Sequence, residues 1–78
     1  MKVRFYSIDE IEHFINDMNA LECDVNLLDG RQVFDAKSTI GIMNLDFRNK
    51  VFKVECITDD PEQIHKFKER IKRYVTDS

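Results

Sequence analysis

The sequence predicts an α+β fold of two layers, with three helices packed on one face of a four-stranded, mainly antiparallel sheet. Two observations lead there. Short segments that alternate polar and apolar residues are interleaved with segments whose apolar residues recur at helical spacing. The resulting order is β-α-β-β-α-β-α, and stripes of that kind are buried by stacking helices on one sheet face while the other stays wet. The 78 residues make one domain, 1–78, near the lower size at which a single core suffices.

Lys2 to Tyr6 alternate, with Val3 and Phe5 on one face, as in a strand. Ile8, Ile11, Phe14, Ile15 and Met18 then form a helical stripe, while Asp9, Glu12, His13 and Asn16 turn to water. Ser7 and Glu10 have the spacing of a capping box: the hydroxyl accepts a first-turn amide and the carboxylate reaches back to the Ser7 amide. Cys23, Val25 and Leu27 alternate with Asp24 and Asn26 in a second strand. Asp29-Gly30 marks a hairpin turn, because glycine tolerates the positive φ of tight two-residue loops. Gln32 to Asp35 return as the third strand, and a short helix from Ser38 to about Asn44 follows with Ser38 as its N-cap. Phe47 to Asn49 read as a loop, and Val51 to Ile57 alternate again, with Phe52, Val54 and Cys56 facing inward. Asp60-Pro61-Glu62 starts the last helix, whose buried stripe is Ile64, Phe67, Ile71, Tyr74 and Val75. Glu62–Lys66 and Glu69–Arg73 are i,i+4 pairs along it.

Composition excludes several classes. No apolar run approaches the roughly 18 residues that a membrane span needs, so no membrane insertion is expected. Lys2 and Arg4 interrupt the first apolar residues, so no signal peptide is expected and the location is cytoplasmic. Between Phe5 and Gly30 there are seven acids and no lysine or arginine, whereas the last helix carries Lys66, Lys68, Arg70, Lys72 and Arg73. That asymmetry suits a charged protein partner and disfavours nucleic acid, whose phosphates the acidic half repels; a solvated surface without a partner is the alternative. Cys23 and Cys56 have no CxxC spacing and read as buried reduced thiols, or as a disulfide if their strands are neighbours and both face the core. Neither His13 nor His65 has a ligand at metal-binding spacing, so no metal and no cofactor are expected.

The segment Lys37-Ser38-Thr39-Ile40-Gly41-Ile42-Met43-Asn44-Leu45, preceded by Asp24-Val25-Asn26-Leu27 and a hairpin at Gly30, resembles the regulatory serine region of HPr, the histidine-containing phosphocarrier of the bacterial sugar phosphotransferase system. The resemblance covers Cys23 to Leu45, and the element order agrees with it along the chain. It implies an HPr-like open-faced two-layer sandwich. It also implies that Ser38 is a phosphorylation site for HPr kinase, and that Lys37, Thr39, Ile40 and Met43 belong to a docking surface for partners such as that kinase or a transcription regulator.

The family's active loop has the pattern Gly-(Ile/Leu)-His-Ala-Arg-Pro, whose imidazole carries the phosphoryl group. Counted back from Asp24 without gaps, Ser7 stands at the histidine position, Asp9 at the arginine and Glu10 at the proline. A serine phosphate ester is too stable to pass its phosphoryl group on, and an aspartate beside it repels phosphate. His13 lies within a helix that offers it no free backbone amides, and His65 lies far along the chain. The expectation is therefore a non-catalytic binding or regulatory module. Its alternatives are an interaction domain of the same fold unrelated to sugar transport, and a residual phosphocarrier. At Ser38 a phosphate of charge about −1.5 to −2 suits a helix N-terminus, but an N-cap serine also stabilises by roughly 1 kcal/mol with no regulatory role.

Overall fold

The computed structural model describes residues 1–43 and 45–76, except for the side chains of Ile40 and Met43. The elements are β1 (Lys2–Val3), α1 (Ile8–Asn19), β2 (Asp24–Asp29), β3 (Gln32–Asp35), α2 (Thr39–Met43), β4 (Phe52–Ile57) and α3 (Pro61–Ile71), closed by a 3-10 turn (Lys72–Tyr74). The strands form one sheet in the order β1-β4-β2-β3, and every neighbouring pair is antiparallel. Both β1–α1–β2 and β3–α2–β4 therefore cross over one intervening strand. The architecture is α+β, with the two long helices α1 and α3 packed together and the short α2 against α1.

Local chemistry accounts for most boundaries. Ser7 Oγ accepts from the Glu10 amide at 3.2 Å, and Glu10 Oε1 accepts at 2.8 Å from the amide of Tyr6, one residue earlier than the expected Ser7. Asp60 caps α3 through the Glu62 amide at 3.0 Å, with Pro61 in the first turn. Gly30, at φ +58°, opens the two-residue loop that sets Asp29 opposite Gln32.

The structure alters four further expectations. The first strand is confined to Lys2–Val3, because from Arg4 onward the chain leaves β4 and enters the cap of α1. Ile8 is 53 % exposed: it opens α1 ahead of the turns that meet the sheet, so the stripe proper is Ile11, Phe14, Ile15 and Met18. The last helix ends as α-helix at Ile71, and Val75, expected in its stripe, instead forms a bridge with Val3. There the Arg4 amide donates to Tyr74 O and the Thr76 amide to Lys2 O, both at 3.0 Å, which lines the outer side of β1 with backbone. Glu69 pairs with Lys72 at 3.1 Å, not with Arg73, because the tighter turn favours i,i+3 spacing. The end of the short helix at Asn44 lies outside the described residues.

The core lies between the sheet and the helices. Phe5, 2 % exposed, sits among Phe14, Phe52 and Tyr74, with ring centroids 5.0, 5.9 and 5.9 Å away. Phe14 and Tyr74 meet edge to face at 5.3 Å. Tyr74 is 3 % exposed and donates its hydroxyl to Asp17 Oδ2 at 2.7 Å, while Arg70 holds Asp17 Oδ1 at 3.4 Å. This polar triad ties α1 to the end of α3. The outer sheet face carries Lys2, Lys53, Glu55 and Asp24 beside exposed Val33 and Ile57, and β3 has no strand on its outer side among the described residues.

Burial, followed by the bond to Asp17, pushes the Tyr74 hydroxyl from 10.0 up to about 12. Burial likewise lifts the Cys56 thiol from 9.0 to about 12. Both groups hold their protons more tightly when folded, so stability is complete below pH 9 and is lost as pH rises from 9 toward 12. Tyr74→Phe keeps the ring and removes the hydroxyl. Urea unfolding is expected to show a loss of about 1–2 kcal/mol at pH 7, with a shallower alkaline decline that retains only the Cys56 contribution.

Candidate functional site

Two regions carry the expected site residues, and α1 separates them. Its 12 residues place the Ser7 end about 18 Å from the end beside Ser38, at the ordinary helical rise.

At the first, burial of Phe5 fixes where the loop turns into α1, so Ser7, Asp9 and Glu10 occupy the first turn. The chain's own capping box uses this terminus: Ser7 Oγ and Glu10 Oε1 each bind a backbone amide that an anion would otherwise seek. Asp9, Glu10, His13, Arg73 and Tyr74 line a groove of about 270 Å³. One guanidinium and one imidazole face two carboxylates there, a balance that gives phosphate little attraction. The structure thus brings Arg73 beside Asp9, Glu10 and His13, which the sequence did not reveal because Arg73 arrives through the 3-10 turn. His65 lies on the exposed side of α3.

At the second, Ser38 immediately precedes α2. Its carbonyl accepts from the Ile42 amide at 3.1 Å and its Oγ from the Gly41 amide at 3.4 Å, so it caps the helix, loosely, while remaining half-exposed. The turn before it is pinned three ways. Asp35 Oδ1 accepts from the Lys37 amide at 2.9 Å, Lys37 Nζ donates to Leu21 O at 2.6 Å, and Asn19 Nδ2 donates to both Ile15 O and Lys37 O at 2.9 and 3.1 Å. Lys37 is accordingly committed beneath the loop, whereas Thr39 is exposed and, with Glu12, Ile15 and Asn16, lines a cleft of about 240 Å³ between α1 and α2. The side chains of Ile40 and Met43 lie outside the described residues. Asn19 is the positioning residue that sequence reading missed: a side-chain amide at a helix end signals capping, but not which distant carbonyl it meets.

The cysteines meet at the Asp24–Ile57 end of the β2–β4 ladder, the end nearer the Ser38 turn. Val25 pairs with Cys56, which sets Cys23 diagonally across from it on the core side. Both are free thiols, with Sγ atoms 3.1 Å apart at hydrogen-bond distance. Burial is the main cause of the raised Cys56 thiol, with the bond to Cys23 next; the Lys37 ammonium opposes both.

Among the described residues no group of three or more His, Cys, Asp or Glu has the arrangement to hold a metal ion, and no helix is long and apolar enough to cross a membrane. Comparison of the chain with protein-family models, curated proteins and solved structures gives no significant match.

The pinning of the Ser38 turn gives a local expectation. Asn19→Ala frees the Lys37 carbonyl at a cost of about 1 kcal/mol. In native-state hydrogen exchange the Ile42 amide is then expected to exchange roughly fivefold faster, while amides of the β2–β4 ladder change little.

Proposed function

We propose that this chain is a non-catalytic, HPr-like regulatory or binding module that acts in the cytoplasm and is controlled by phosphorylation at Ser38. The element order β-α-β-β-α-β-α and the Lys37–Leu45 segment support an HPr-like open-faced sandwich with α1, α2 and α3 on one sheet face. The observation that carries the reading is Ser38 itself: the residue is half-exposed and its hydroxyl heads α2 at a 3.4 Å capping distance, loose enough to be released to a kinase. At the opposite end of α1, Ser7, Asp9 and Glu10 supply a cap and two carboxylates in place of a phosphate-carrying imidazole and its arginine.

Phosphate on Ser38 places two or so negative charges beside the cleft lined by Glu12 and Asn16, with Lys37 already engaged by Leu21 O. The modification thus acts by altering the charge of the α1–α2 surface. A partner that binds it presents cations toward Ser38 and an apolar group toward Thr39 and Ile15. The kinase of the HPr system and a transcription regulator are the partners of that description which the resemblance implies.

The exposed Val33 and Ile57 on the outer sheet face favour the second reading, an interaction domain of the same fold without a role in sugar transport.

Incubation of the chain with HPr kinase and ATP, read by intact mass, is expected to add one phosphate to the wild type and none to Ser38→Ala. Ser38→Ala is itself expected to lose about 0.5–1 kcal/mol as a weakened cap, so it remains folded and is a valid control. An unmodified wild type, or equal modification of both proteins, removes the regulatory reading and leaves the sheet-face reading.

A further inference from the structure

We propose that Cys23 and Cys56 form an oxidation site, a dithiol that low-molecular-weight disulfides convert reversibly into an intramolecular disulfide. The two thiols lie 3.1 Å apart, one within β4 and the other just ahead of its neighbour β2, 33 residues apart in the chain. A disulfide needs the sulfurs at about 2.05 Å, so about 1 Å of closure is required. The position of Cys23 makes that movement available: it lies in the bend ahead of β2, outside the paired strand, whereas Cys56 is held within β4.

Exposure assigns the roles. Cys23 is 8 % exposed, and Cys56 is the more open of the two. The Cys56 thiolate attacks one sulfur of the incoming disulfide; that S–S bond breaks, and the departing small thiolate takes up a proton. The product is a mixed disulfide on Cys56. Cys23, already beside it, loses its proton and attacks the Cys56 sulfur, expelling the second small thiol. Two protein thiols are thereby oxidised and one small disulfide is reduced to two thiols, with no group left on the protein. Glutathione disulfide is a reagent of this class. The high proton affinity of Cys56 makes the first attack slow at neutral pH, whereas the second step is intramolecular, between sulfurs already side by side.

The site also reaches the Ser38 turn. Lys37 Nζ binds the carbonyl of Leu21, two residues before Cys23, and its charge acts on Cys56. Drawing Cys23 toward β4 therefore bears on the same lysine that anchors the turn ahead of α2. This coupling does not depend on Ser38 being a kinase substrate.

The full chain is equilibrated with glutathione and glutathione disulfide at increasing ratios, quenched in acid and read by intact mass and peptide mapping. The expected result is the loss of two hydrogens with no retained glutathione, a Cys23–Cys56 link within one chain, and complete reversal by excess thiol. Cys23→Ser is expected to retain one glutathione on Cys56. Phenylarsine oxide, which needs two thiols within reach of one arsenic, gives a measurement on the unaltered protein; one arsenical per wild-type chain is expected. Stable glutathione adducts on the wild type, links between chains, a chain left reduced at the highest ratio, or no arsenical capture would each overturn the proposal.

Discussion

The pairing of β2 with β4 is the constraint on which the other features depend. It joins segments about 30 residues apart, in a register running from Asp24 opposite Ile57 to Leu28 opposite Lys53. Because side chains alternate along a strand, that register turns Val25, Leu27, Phe52 and Val54 together into the core, and a slip of one residue would turn one strand's pair, Val25 and Leu27 or Phe52 and Val54, out to solvent. Burying such side chains contributes roughly 1.5–3 kcal/mol each, far more than any surface ion pair here. The same register places the two cysteines diagonally, and both crossover connections exist because β4 lies between β1 and β2 and β2 between β4 and β3.

The helices add a second layer whose contacts are mixed in kind. Apolar packing around Phe5 supplies most of the stabilisation, while the Tyr74–Asp17–Arg70 triad sets the relative position of α1 and the end of α3. The hydroxyl of Tyr74 is buried yet satisfied, so it does not incur the cost of an unpaired polar group. Polar contacts do comparable work in the same last turn of α1, where Asn19 and Lys37 hold the loop that presents Ser38. Rigid elements thus fix the start of a helix too short to hold itself in place.

Much of this was legible in the sequence. Period-2 and helical patterns located the elements, and Ser7-x-x-Glu10, Asp29-Gly30 and Asp60-Pro61 marked their ends, because those signals are local and each meets one backbone need. What escaped was non-local. Nothing near Val75 indicates that it leaves the helix to bridge Val3, since the bond partner lies at the other end of the chain. Ile8 fits the helical stripe by spacing, but exposure depends on where the helix meets the sheet. At the candidate site, Ser38 and its cap were readable, whereas the bond from Lys37 to the Leu21 carbonyl and the arrival of Arg73 near Asp9 depend on tertiary placement. The proximity of the cysteines depends on strand order and on both facing the core, and the β2–β4 pairing supplies both.

The two borders of the sheet are treated differently. Backbone from Tyr74 to Thr76 lies along β1, while among the described residues no strand pairs with the outer side of β3. An open border of that kind is a template for stray strands from other chains, and the hazard grows with its length and apolarity. Here it is four residues long, follows a tight turn, and ends in Asp35, whose carboxylate is bound to the Lys37 amide. Brevity and a terminal charge therefore act as the guard against edge-to-edge association. Lengthening β3 with apolar residues, a change that would look harmless to the monomer, would remove it.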